Sequence, residues 1–371
     1  MEEKVANLLK DFPKDAFNKD LIQWFQTEQR KLPWREDKDP YKIWVSEVML
    51  QQTRVDTVIP YYQRFLEKYP NIESLAHADE EELLKVWEGL GYYSRVRNLH
   101  QAVKEVYTQY GGIVPNNKQQ FGKLKGVGPY TVGAVLSIAY GIPEPAVDGN
   151  VMRVLSRIFL IDDDITKTRT RKLFEEIVRR IIPHEDPSSF NQGLMELGAL
   201  VCKVSSPSCL LCPVRDYCGA FYAGKQEDYP VKTKNNRPKT IHLIAAILID
   251  KKERIIIRKR PNHGLLANLW EFPTEEIVQN ASVFNWSVYA EELKRKHGIT
   301  IHLDAPLGKV EHIFSHLKWN ITTYIGQVTE DVIQTDSFKA IKLEELNNYP
   351  FPVPQQKILM LYQEFLQKSI V

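Results

Sequence analysis

The cysteines constrain this chain more than any other feature, because all four lie between Cys202 and Cys218 and the rest of the sequence has none. Cys209 and Cys212 divide this segment into gaps of six, two and five residues. Clustered thiols in a reducing compartment are typical metal ligands, whereas a disulfide framework belongs to secreted proteins. Two kinds of site take four thiolates, a zinc ion and a [4Fe–4S] cluster. Taken alone, the pattern favours zinc.

The composition is that of a soluble protein with two domains. A length of 371 residues is enough for two domains of ordinary size, each with its own core. No run of eighteen apolar residues is present, and the N-terminus lacks the apolar stretch of a signal peptide. We therefore expect a cytoplasmic, monomeric protein without a membrane partner. The net charge is only +2, so a nucleic-acid partner requires local contacts to phosphates.

Hydrophobic periodicity predicts two domains of different class. Up to about residue 225, apolar residues recur every three or four positions, which is typical of amphipathic helices. After a polar, basic stretch that fits a solvated linker better than a phosphate contact, apolar and β-branched runs indicate strands. We predict an all-α domain over 1–230, a linker over 231–240 and an α+β domain over 241–371. The predicted helices cover 17–30, 40–53, 55–69, 79–90, 95–110, 130–140, 150–160, 168–182, 189–201, 288–297 and 354–367, and the predicted strands 241–250, 254–260 and 312–328.

A glycine turn precedes the predicted helix at 130–140. In LKGVGPY (124–130), Gly126 and Gly128 flank Val127, and the helix starts after Pro129. Glycine permits unusual dihedral angles and close backbone approach, and amides at a helix N-terminus point toward an anion such as a DNA phosphate. An ordinary turn between two helices has the same composition, so the motif alone does not decide between the two interpretations.

Asp148 follows twenty residues later, in PAVDGNVMRV (145–154), just before an apolar helix. An aspartate there is a common helix cap, and for an isolated residue that interpretation is favoured. Its spacing from the glycine turn, however, resembles the helix-hairpin-helix DNA glycosylase superfamily. The resemblance implies that Asp148 is catalytic and that Gly126 and Gly128 contact DNA.

The cysteine spacing matches the iron–sulfur loop of the same superfamily. The resemblance therefore implies that the four thiols hold a [4Fe–4S] cluster and not zinc. We expect this cluster to stabilise the fold and to position DNA, with no part in bond breaking. The proposed ligands are Cys202, Cys209, Cys212 and Cys218.

Two residues indicate the adenine glycosylase branch of the superfamily. Members that also cut the strand carry a lysine two residues after the second glycine, where this chain has Tyr130, and a phenol cannot form their Schiff base. We therefore expect base hydrolysis alone. Glu47, in WVSEVMLQQTRV (44–55), resembles the glutamate that protonates adenine in this branch. A solvated helix face is the alternative for Glu47, but its apolar neighbours favour a partly buried carboxyl, and burial raises the pKa of a carboxyl.

The same resemblance, which extends over roughly 17–365, assigns further residues. Tyr130 and Asn150 are expected to orient the two carboxylates and the attacking water. Gln52 and Tyr92 are expected to enter the duplex where a nucleotide leaves the stack, although core packing is the commoner role of an aromatic residue. The residues expected to line the adenine pocket are Arg35, Leu50 and Glu196.

The second domain resembles the Nudix nucleotide-hydrolase fold, and LWEFP (269–273) fits that resemblance. A working hydrolase of this fold binds magnesium through a box of glutamates. The best alignment, EELKRKHGI (291–299), places Arg295 and Lys296 where metal-binding glutamates belong. Two cations cannot chelate magnesium. We therefore expect a binding module without pyrophosphatase activity.

Adenine glycosylases use such a domain to recognise 8-oxoguanine through a Phe-Ser-His loop, which Phe314, Ser315 and His316 match. A half-buried strand is the alternative for so short a motif, but its place in this domain favours the loop. The resemblance implies that Phe314 wedges beside the lesion. Ser315 and His316 would then supply hydrogen bonds that guanine does not complete.

The sequence therefore predicts a monofunctional glycosylase that removes adenine opposite 8-oxoguanine or guanine from double-stranded DNA in base excision repair. Three alternatives are weaker. Tyr130 and the second domain oppose an endonuclease-III-like glycosylase and lyase. Glu47 and Asp148 oppose a catalytically silent DNA-binding protein. Arg295 and Lys296 oppose a Nudix hydrolase.

Overall fold

The computed structural model divides the chain into two units by its internal contacts. Unit 1 consists of Met1–His77 and Asn98–Lys234, and unit 2 of Ala78–Arg97 and Asn235–Val371. The structure describes residues 1–233, 238–277, 286–330 and 334–369. Residues 234–237, at the centre of the predicted linker, therefore lie outside the described residues.

Helices follow one another along the first 222 residues, as the periodicity predicts. Within the described residues, none is long and apolar enough to cross a membrane. They are α1 (Glu2–Leu9), α2 (Lys14–Glu28), α3 (Pro40–Leu50), α4 (Val55–Lys68), α5 (Ile72–Ala76), α6 (Glu80–Val86), α7 (Ser94–Gln109), α8 (Lys118–Phe121), α9 (Pro129–Tyr140), α10 (Gly149–Phe159), α11 (Thr168–Ile181), α12 (Pro187–Leu200) and α13 (Gly219–Tyr222).

Most differences from the prediction concern helix ends and short helices. The helices α1, α5, α8 and α13 were not predicted, because each is too short or too polar to show a clear period. The helix predicted over 79–90 is wrong in its last third, since α6 ends at Val86. Gly89 and Gly91 follow it with φ of 93° and 73°, values that favour glycine and end the helix.

A shared apolar core holds α10 in the middle of unit 1. Val151, Val154, Leu155 and Ile158 recur at helical spacing on α10 and are buried among α2, α11 and α12. The helix α12 packs against α2, α9 and α10. This packing fixes the N-terminus of α10, where Asp148 lies.

A mixed sheet forms the centre of unit 2. In its described residues, the strand order is β3-β2-β1-β6-β5, with β4 paired to β1 and β7 to β2. The strands β1 and β6 are parallel, and the other pairs are antiparallel. The elements are β1 (Lys239–Ile249), β2 (Ile255–Lys259), β3 (Trp270–Glu271), β4 (Thr274–Glu276), α14 (Trp286–His297), β5 (Ile301–Ile313), β6 (Leu317–Val328), β7 (Phe338–Ile341) and α15 (Val353–Ser369).

The alternation of side chains along β1 supplies both faces of this sheet. Leu243, Ala245 and Ile247 join a core that includes residues of α15. Ile244 and Ala246 join a second core that includes residues of α14. Because successive side chains of a strand point to opposite faces, one apolar run is buried on both sides of the sheet.

The predicted strand over 312–328 is two strands joined by a tight turn. The pair Ile313 and Lys318 is the last of the β5–β6 ladder, and the amide of Phe314 donates to the carbonyl of Leu317 (2.7 Å). Ser315 and His316 thus form the tip of a hairpin. Most of β5 was not predicted, since its polar residues hide the alternation.

Unit 2 includes residues 78–97, which the sequence places among the helices of the first domain. Lys259 Nζ donates to Glu81 (2.7 Å), and Asn268 Nδ2 donates to Glu80 (2.6 Å). The amide of Phe351 donates to Glu88 (2.7 Å). These polar contacts join α6 and the loop after it to the sheet's connecting loops.

Candidate active site

The predicted catalytic residues line one cavity of unit 1, with a volume of about 600 Å³. This size lies within the range of small-molecule sites. The cavity lies between α3, α9, α10 and α12. Ten residues singled out from the sequence contribute to its wall: Arg35, Glu47, Leu50, Gln52, Gly126, Gly128, Tyr130, Asp148, Asn150 and Glu196.

Glu47 projects from α3 into this cavity and is only 5% exposed. Its helix is apolar almost all round, so the carboxyl is surrounded by protein and not by water. Burial, together with the nearby charge of Asp148, raises the pKa of Glu47 to about 7. The hydrogen bond from Tyr130 and the charge of Arg35 act in the opposite direction, and their effect is smaller. A carboxyl with this pKa is protonated in a substantial fraction of the molecules near neutral pH.

Tyr130 lies in the first turn of α9 and reaches across to α3. Its hydroxyl donates to Glu47 Oε2 (2.6 Å) and also lies 3.3 Å from Met195 Sδ. Burial, with the carboxyls of Glu47 and Asp148, raises the pKa of Tyr130 well above its usual value. The phenol is therefore a neutral donor that orients the carboxyl of Glu47.

Asp148 both caps α10 and faces the cavity. Its Oδ1 accepts from the amide of Val151 (2.8 Å), and its Oδ2 accepts from Asn150 Nδ2 (2.8 Å). Burial raises the pKa of Asp148, while these two donors and the charge of Arg153 oppose the rise. The cap and the catalytic assignment are thus compatible, because the cap fixes the carboxylate at the cavity wall.

A buried arginine that sequence reasoning missed holds Asn150 in place. Arg153 Nη2 donates to Asn150 Oδ1 (2.8 Å) and to the carbonyl of Gly198 (2.8 Å). A Cβ added at Gly198 would lie 2.6 Å from Asn150 Cβ, so only glycine lets α12 approach α10 this closely. The sequence feature that could have identified Arg153 is the presence of an arginine within the apolar helix that follows Asp148.

Glu196 also lines the cavity and belongs to an ion-pair network. Arg30 Nη2 and Arg35 Nη2 donate to Glu196 Oε2 at 2.8 and 3.1 Å. Burial opposes ionisation of Glu196, but the hydrogen bonds from Arg30 and Arg35 outweigh it and lower the pKa of Glu196 to about 2. The carboxylate of Glu196 therefore stays ionised and holds Arg35 in position, whereas the carboxyl of Glu47 can carry a proton.

The glycine turn has the geometry expected for a backbone that contacts a ligand. Gly126 has φ of 77°, and a Cβ there would lie 2.7 Å from Asn98 Cβ. Gly128 begins α9 as its N-cap residue, and within the described part of the chain a Cβ added to it would meet no atom within 4 Å other than those of its chain neighbours. The first amides of α9 therefore start beside open space.

The four cysteines are free thiols, each partly buried. Burial and the neighbouring thiols raise the pKa of Cys212 to about 12, and burial raises the pKa of Cys209 and Cys218. Among the described residues, no group of three or more His, Cys, Asp or Glu is arranged to hold a metal ion. The donor set consists of soft thiols, which suit iron–sulfur clusters.

Two protein families match consecutive parts of this chain. The helix-hairpin-helix superfamily of base excision DNA repair proteins matches residues 45–180, and the NUDIX domain matches residues 244–361. An adenine DNA glycosylase of Buchnera aphidicola (subspecies Baizongia pistaciae) is 33% identical, over 94% of this chain and 97% of that protein. The chain belongs to the adenine DNA glycosylase family.

Other members of the adenine DNA glycosylase family differ more in length. The human enzyme is 32% identical over 94% of this chain and 74% of its own length. The Arabidopsis thaliana enzyme is 36% identical over 80% of this chain, which spans 55% of the length of that relative. A solved structure of a thermostable thymine-DNA glycosylase superposes on 57% of this chain with a TM-score of 0.52 and 29% identity.

These matches confirm that the chain is a DNA glycosylase, hence a DNA-binding hydrolase of base excision repair. They also confirm the predicted fold, a helical helix-hairpin-helix domain followed by a Nudix-like domain. The individual roles of the site residues stay predictions.

Both residues that the resemblance assigns to the duplex have left-handed backbones in this glycosylase. Gln52 has φ of 60° and Tyr92 has φ of 47°, and both side chains are exposed. Such conformations cost of order 1–3 kcal/mol in non-glycine residues and concentrate at functional sites. Each residue lies just beyond a helix, Gln52 after α3 and Tyr92 before α7.

The predicted lesion-reading loop lies in unit 2 beside Tyr92. Ser315 and His316 are exposed at the hairpin tip, whereas Phe314 is half-buried with its ring 4.9 Å from that of Trp319. The hydroxyls of Tyr92 and Ser315 lie 3.1 Å apart. The loop therefore has polar side chains exposed at its tip and packed aromatic rings beneath them.

The cations of the degenerate Nudix box neutralise the glutamates beside them. Lys296 Nζ contacts Glu275 Oε2 (2.6 Å) and Glu292 Oε2 (3.0 Å), and Arg295 Nη2 donates to Glu292 (2.7 Å). Burial opposes ionisation of Glu275, but hydrogen bonds from Lys296 and Arg258 outweigh it and lower the pKa of Glu275. Protein cations thus pair with these carboxylates.

Proposed function

We propose that this glycosylase hydrolyses the N-glycosidic bond of adenine paired with 8-oxoguanine or guanine in duplex DNA and leaves the strand intact. One observation carries the proposal. Two carboxyls, the buried one of Glu47 and the half-buried one of Asp148, face one cavity, and each is held by its own hydrogen-bond donor, Tyr130 for Glu47 and Asn150 for Asp148. Such a pair supplies an acid and an anion to one reaction.

Adenine must first leave the helical stack, at a cost of a few kcal/mol. Gln52 and Tyr92 are the residues we assign to the space that it vacates. The amides at the start of α9 would hold a phosphate of the flipped strand, because a helix N-terminus attracts anions and Gly128 leaves the approach open. This grip needs little net charge, in agreement with the value of +2.

Glu47 is the general acid in this proposal. Its pKa of about 7 keeps a substantial fraction protonated at neutral pH, which is the condition for donating a proton. The acceptor is a ring nitrogen of adenine, N7 by analogy with the family. Tyr130 holds the carboxyl while the proton moves, and protonation makes the base a better leaving group.

Asp148 is the anion that stabilises the deoxyribose as the bond breaks. Positive charge develops on the sugar, as in other glycosyl transfers, and a carboxylate held by Val151 and Asn150 needs no rearrangement to face it. Asn150 and Tyr130 would also orient the water that completes hydrolysis. The strand is spared because Tyr130 occupies the lysine position and no lysine lines the described wall of the cavity.

The cysteine loop is proposed to hold a [4Fe–4S] cluster through Cys202, Cys209, Cys212 and Cys218. Free thiols of this spacing fit its ligand set. When bound, the cluster supplies structural order to the loop and takes no part in glycosidic cleavage.

The hairpin tip of unit 2 is proposed to recognise 8-oxoguanine. Ser315 and His316 offer exposed hydrogen-bonding groups, and the half-buried ring of Phe314 offers an apolar surface for stacking. The enzyme is proposed to act as a monomer.

A labelled duplex tests this function. Adenine is placed opposite 8-oxoguanine, guanine or thymine, and each product is divided between alkali and neutral treatment. We expect cleavage at adenine only after alkali, fastest opposite 8-oxoguanine. Strand cleavage without alkali, or release of a damaged pyrimidine instead of adenine, would overturn the proposal.

A further inference from the structure

Arg157 is a buried cation that has no carboxylate partner among the residues that the structure describes. It lies on α10 and is 1% exposed. Its guanidinium donates to the carbonyls of Lys203 (2.6 Å), Val204 (3.1 Å) and Tyr229 (3.1 Å) and to the sulfur of Cys202 (3.2 Å). Within the described residues, no acidic side chain forms an ion pair with Arg157.

The three carbonyls satisfy donors of Arg157 but carry no net charge. A guanidinium taken out of water at this depth is strongly unfavourable unless an anion compensates it. The sulfur of Cys202 is the remaining partner, and a neutral thiol does not provide that compensation. A thiolate does, and four thiolates around an iron–sulfide core carry a net negative charge.

The acceptors of Arg157 also lie on both sides of the cysteine loop. Lys203 and Val204 follow the first cysteine, whereas Tyr229 lies eleven residues beyond the last, Cys218. One side chain therefore closes the loop at both ends. In return, Cys218 Sγ lies 3.5 Å from the carbonyl of Arg157.

We propose that Arg157 is a positioning residue for the cofactor, which compensates the thiolate of Cys202 and closes the loop around the cluster. This inference rests on the cofactor assigned under the proposed function. Its consequence is a reciprocal dependence. In the protein that holds the cluster, Arg157 stabilises the fold through its pairing with the thiolate. In the protein without the cluster, Arg157 is a buried charge that no described side chain neutralises.

The test compares Arg157→Met with Arg215→Met, both purified without oxygen. Arg215 is the matched control, an arginine of the same loop whose side chain is 38% exposed and whose Nε donates to Asp216 (3.2 Å). Iron, acid-labile sulfide and the half-life of visible absorbance in excess chelator are measured. We expect Arg157→Met to lose iron at least tenfold faster than the wild type and Arg215→Met to match the wild type.

Arg157→Lys is the second variant, in case Arg157→Met does not fold. Lysine keeps the positive charge but lacks the several N–H donors of the guanidinium. We therefore expect Arg157→Lys to lose iron faster than the wild type and more slowly than Arg157→Met. Urea unfolding of loaded and metal-free wild type and variant then separates cofactor positioning from packing. We expect the loss of stability to be larger in the loaded form. Equal losses in both forms, or wild-type iron retention by Arg157→Lys and Arg157→Met, would overturn the inference.

The wild type distinguishes failure of this inference from failure of the cofactor assignment. Wild-type protein that takes up no iron and sulfide on anaerobic reconstitution refutes the [4Fe–4S] cluster itself. Wild type with four irons, together with variants that retain them equally well, refutes only the role of Arg157.

Discussion

The carboxyl of Glu47 is buried and that of Asp148 is half-buried, and the two differ in the number of hydrogen-bond donors that hold them. Glu47 accepts from the hydroxyl of Tyr130, whereas Asp148 accepts from an amide and from Asn150. Each donor stabilises the ionised form, so the environment of Asp148 favours the anion more strongly. This difference supports the proposed division of roles, in which Glu47 is the acid and Asp148 the anion.

Replacing Asp148 with asparagine removes the anion and keeps the shape. We expect adenine release under single-turnover conditions to fall by more than about 10²-fold, since a fixed charge facing the transition state is lost. DNA binding, measured by gel shift with the mismatched duplex, should stay near the wild-type level. Release at the wild-type rate would refute the role of Asp148.

Replacing Glu47 with glutamine should stabilise the fold at high pH. Below pH 4.5 the carboxyl is protonated in both the folded and the unfolded chain. As the pH rises toward 7, the unfolded chain ionises while the folded one keeps its proton, and wild-type stability falls. From 4.5 to about 7, the shift corresponds to on the order of 3 kcal/mol.

Urea unfolding of wild type and Glu47→Gln at pH 5 and pH 8 checks this effect. Glutamine does not titrate, so the variant's advantage in the free energy of unfolding should grow between the two pH values. A difference that is the same at both would show that Glu47 has an ordinary pKa.

The close approach of α10 and α12 determines where Asn150 lies. We expect Gly198→Ala to destabilise the protein by about 1–3 kcal/mol, because its methyl group meets Asn150 and the helices must separate. Displaced Asn150 should also reduce the rate of adenine release. Gly149→Ala is the control for stability in urea unfolding, since a Cβ there meets no atom of another described segment within 4 Å. Equal stability of the two variants would contradict the packing argument.

Sequence periodicity predicted most helices of unit 1, because each buries one stripe of a 3.6-residue repeat. The family resemblance, and not the periodicity, predicted that Glu47 and Asp148 line one site, whereas neither pointed to the buried arginines. Arg153 and Arg157 were missed, since a buried arginine is recognised only by acceptors that come from distant segments. The inclusion of residues 78–97 in unit 2 was missed for the same reason: pairs such as Lys259 with Glu81 are 178 residues apart.

At the scale of the molecule, the two proposed functions, base removal and lesion recognition, belong to different units. The cavity with Glu47 and Asp148 belongs to unit 1, and the hairpin tip with Ser315 and His316 to unit 2. Base removal and lesion recognition are then separable by mutation.

The double variant Ser315→Ala, His316→Ala tests that separation. We expect the preference for adenine opposite 8-oxoguanine over adenine opposite guanine to fall by about tenfold or more, which corresponds to the loss of one or two hydrogen bonds. Release from the guanine mismatch should change little, so the ratio of the two single-turnover rates is the measurement. An unchanged ratio would remove the hairpin tip from lesion recognition.

The pH dependence of single-turnover adenine release tests the central claim, that Glu47 donates the proton to the departing base. With wild-type enzyme and the 8-oxoguanine duplex, the rate should be constant below about pH 7 and fall nearly tenfold per unit above it. Glu47→Gln should be slower by on the order of 10² to 10⁴ and lose this profile. A wild-type rate that rises through pH 7, or a Glu47→Gln variant with the wild-type rate and profile, would contradict the claim.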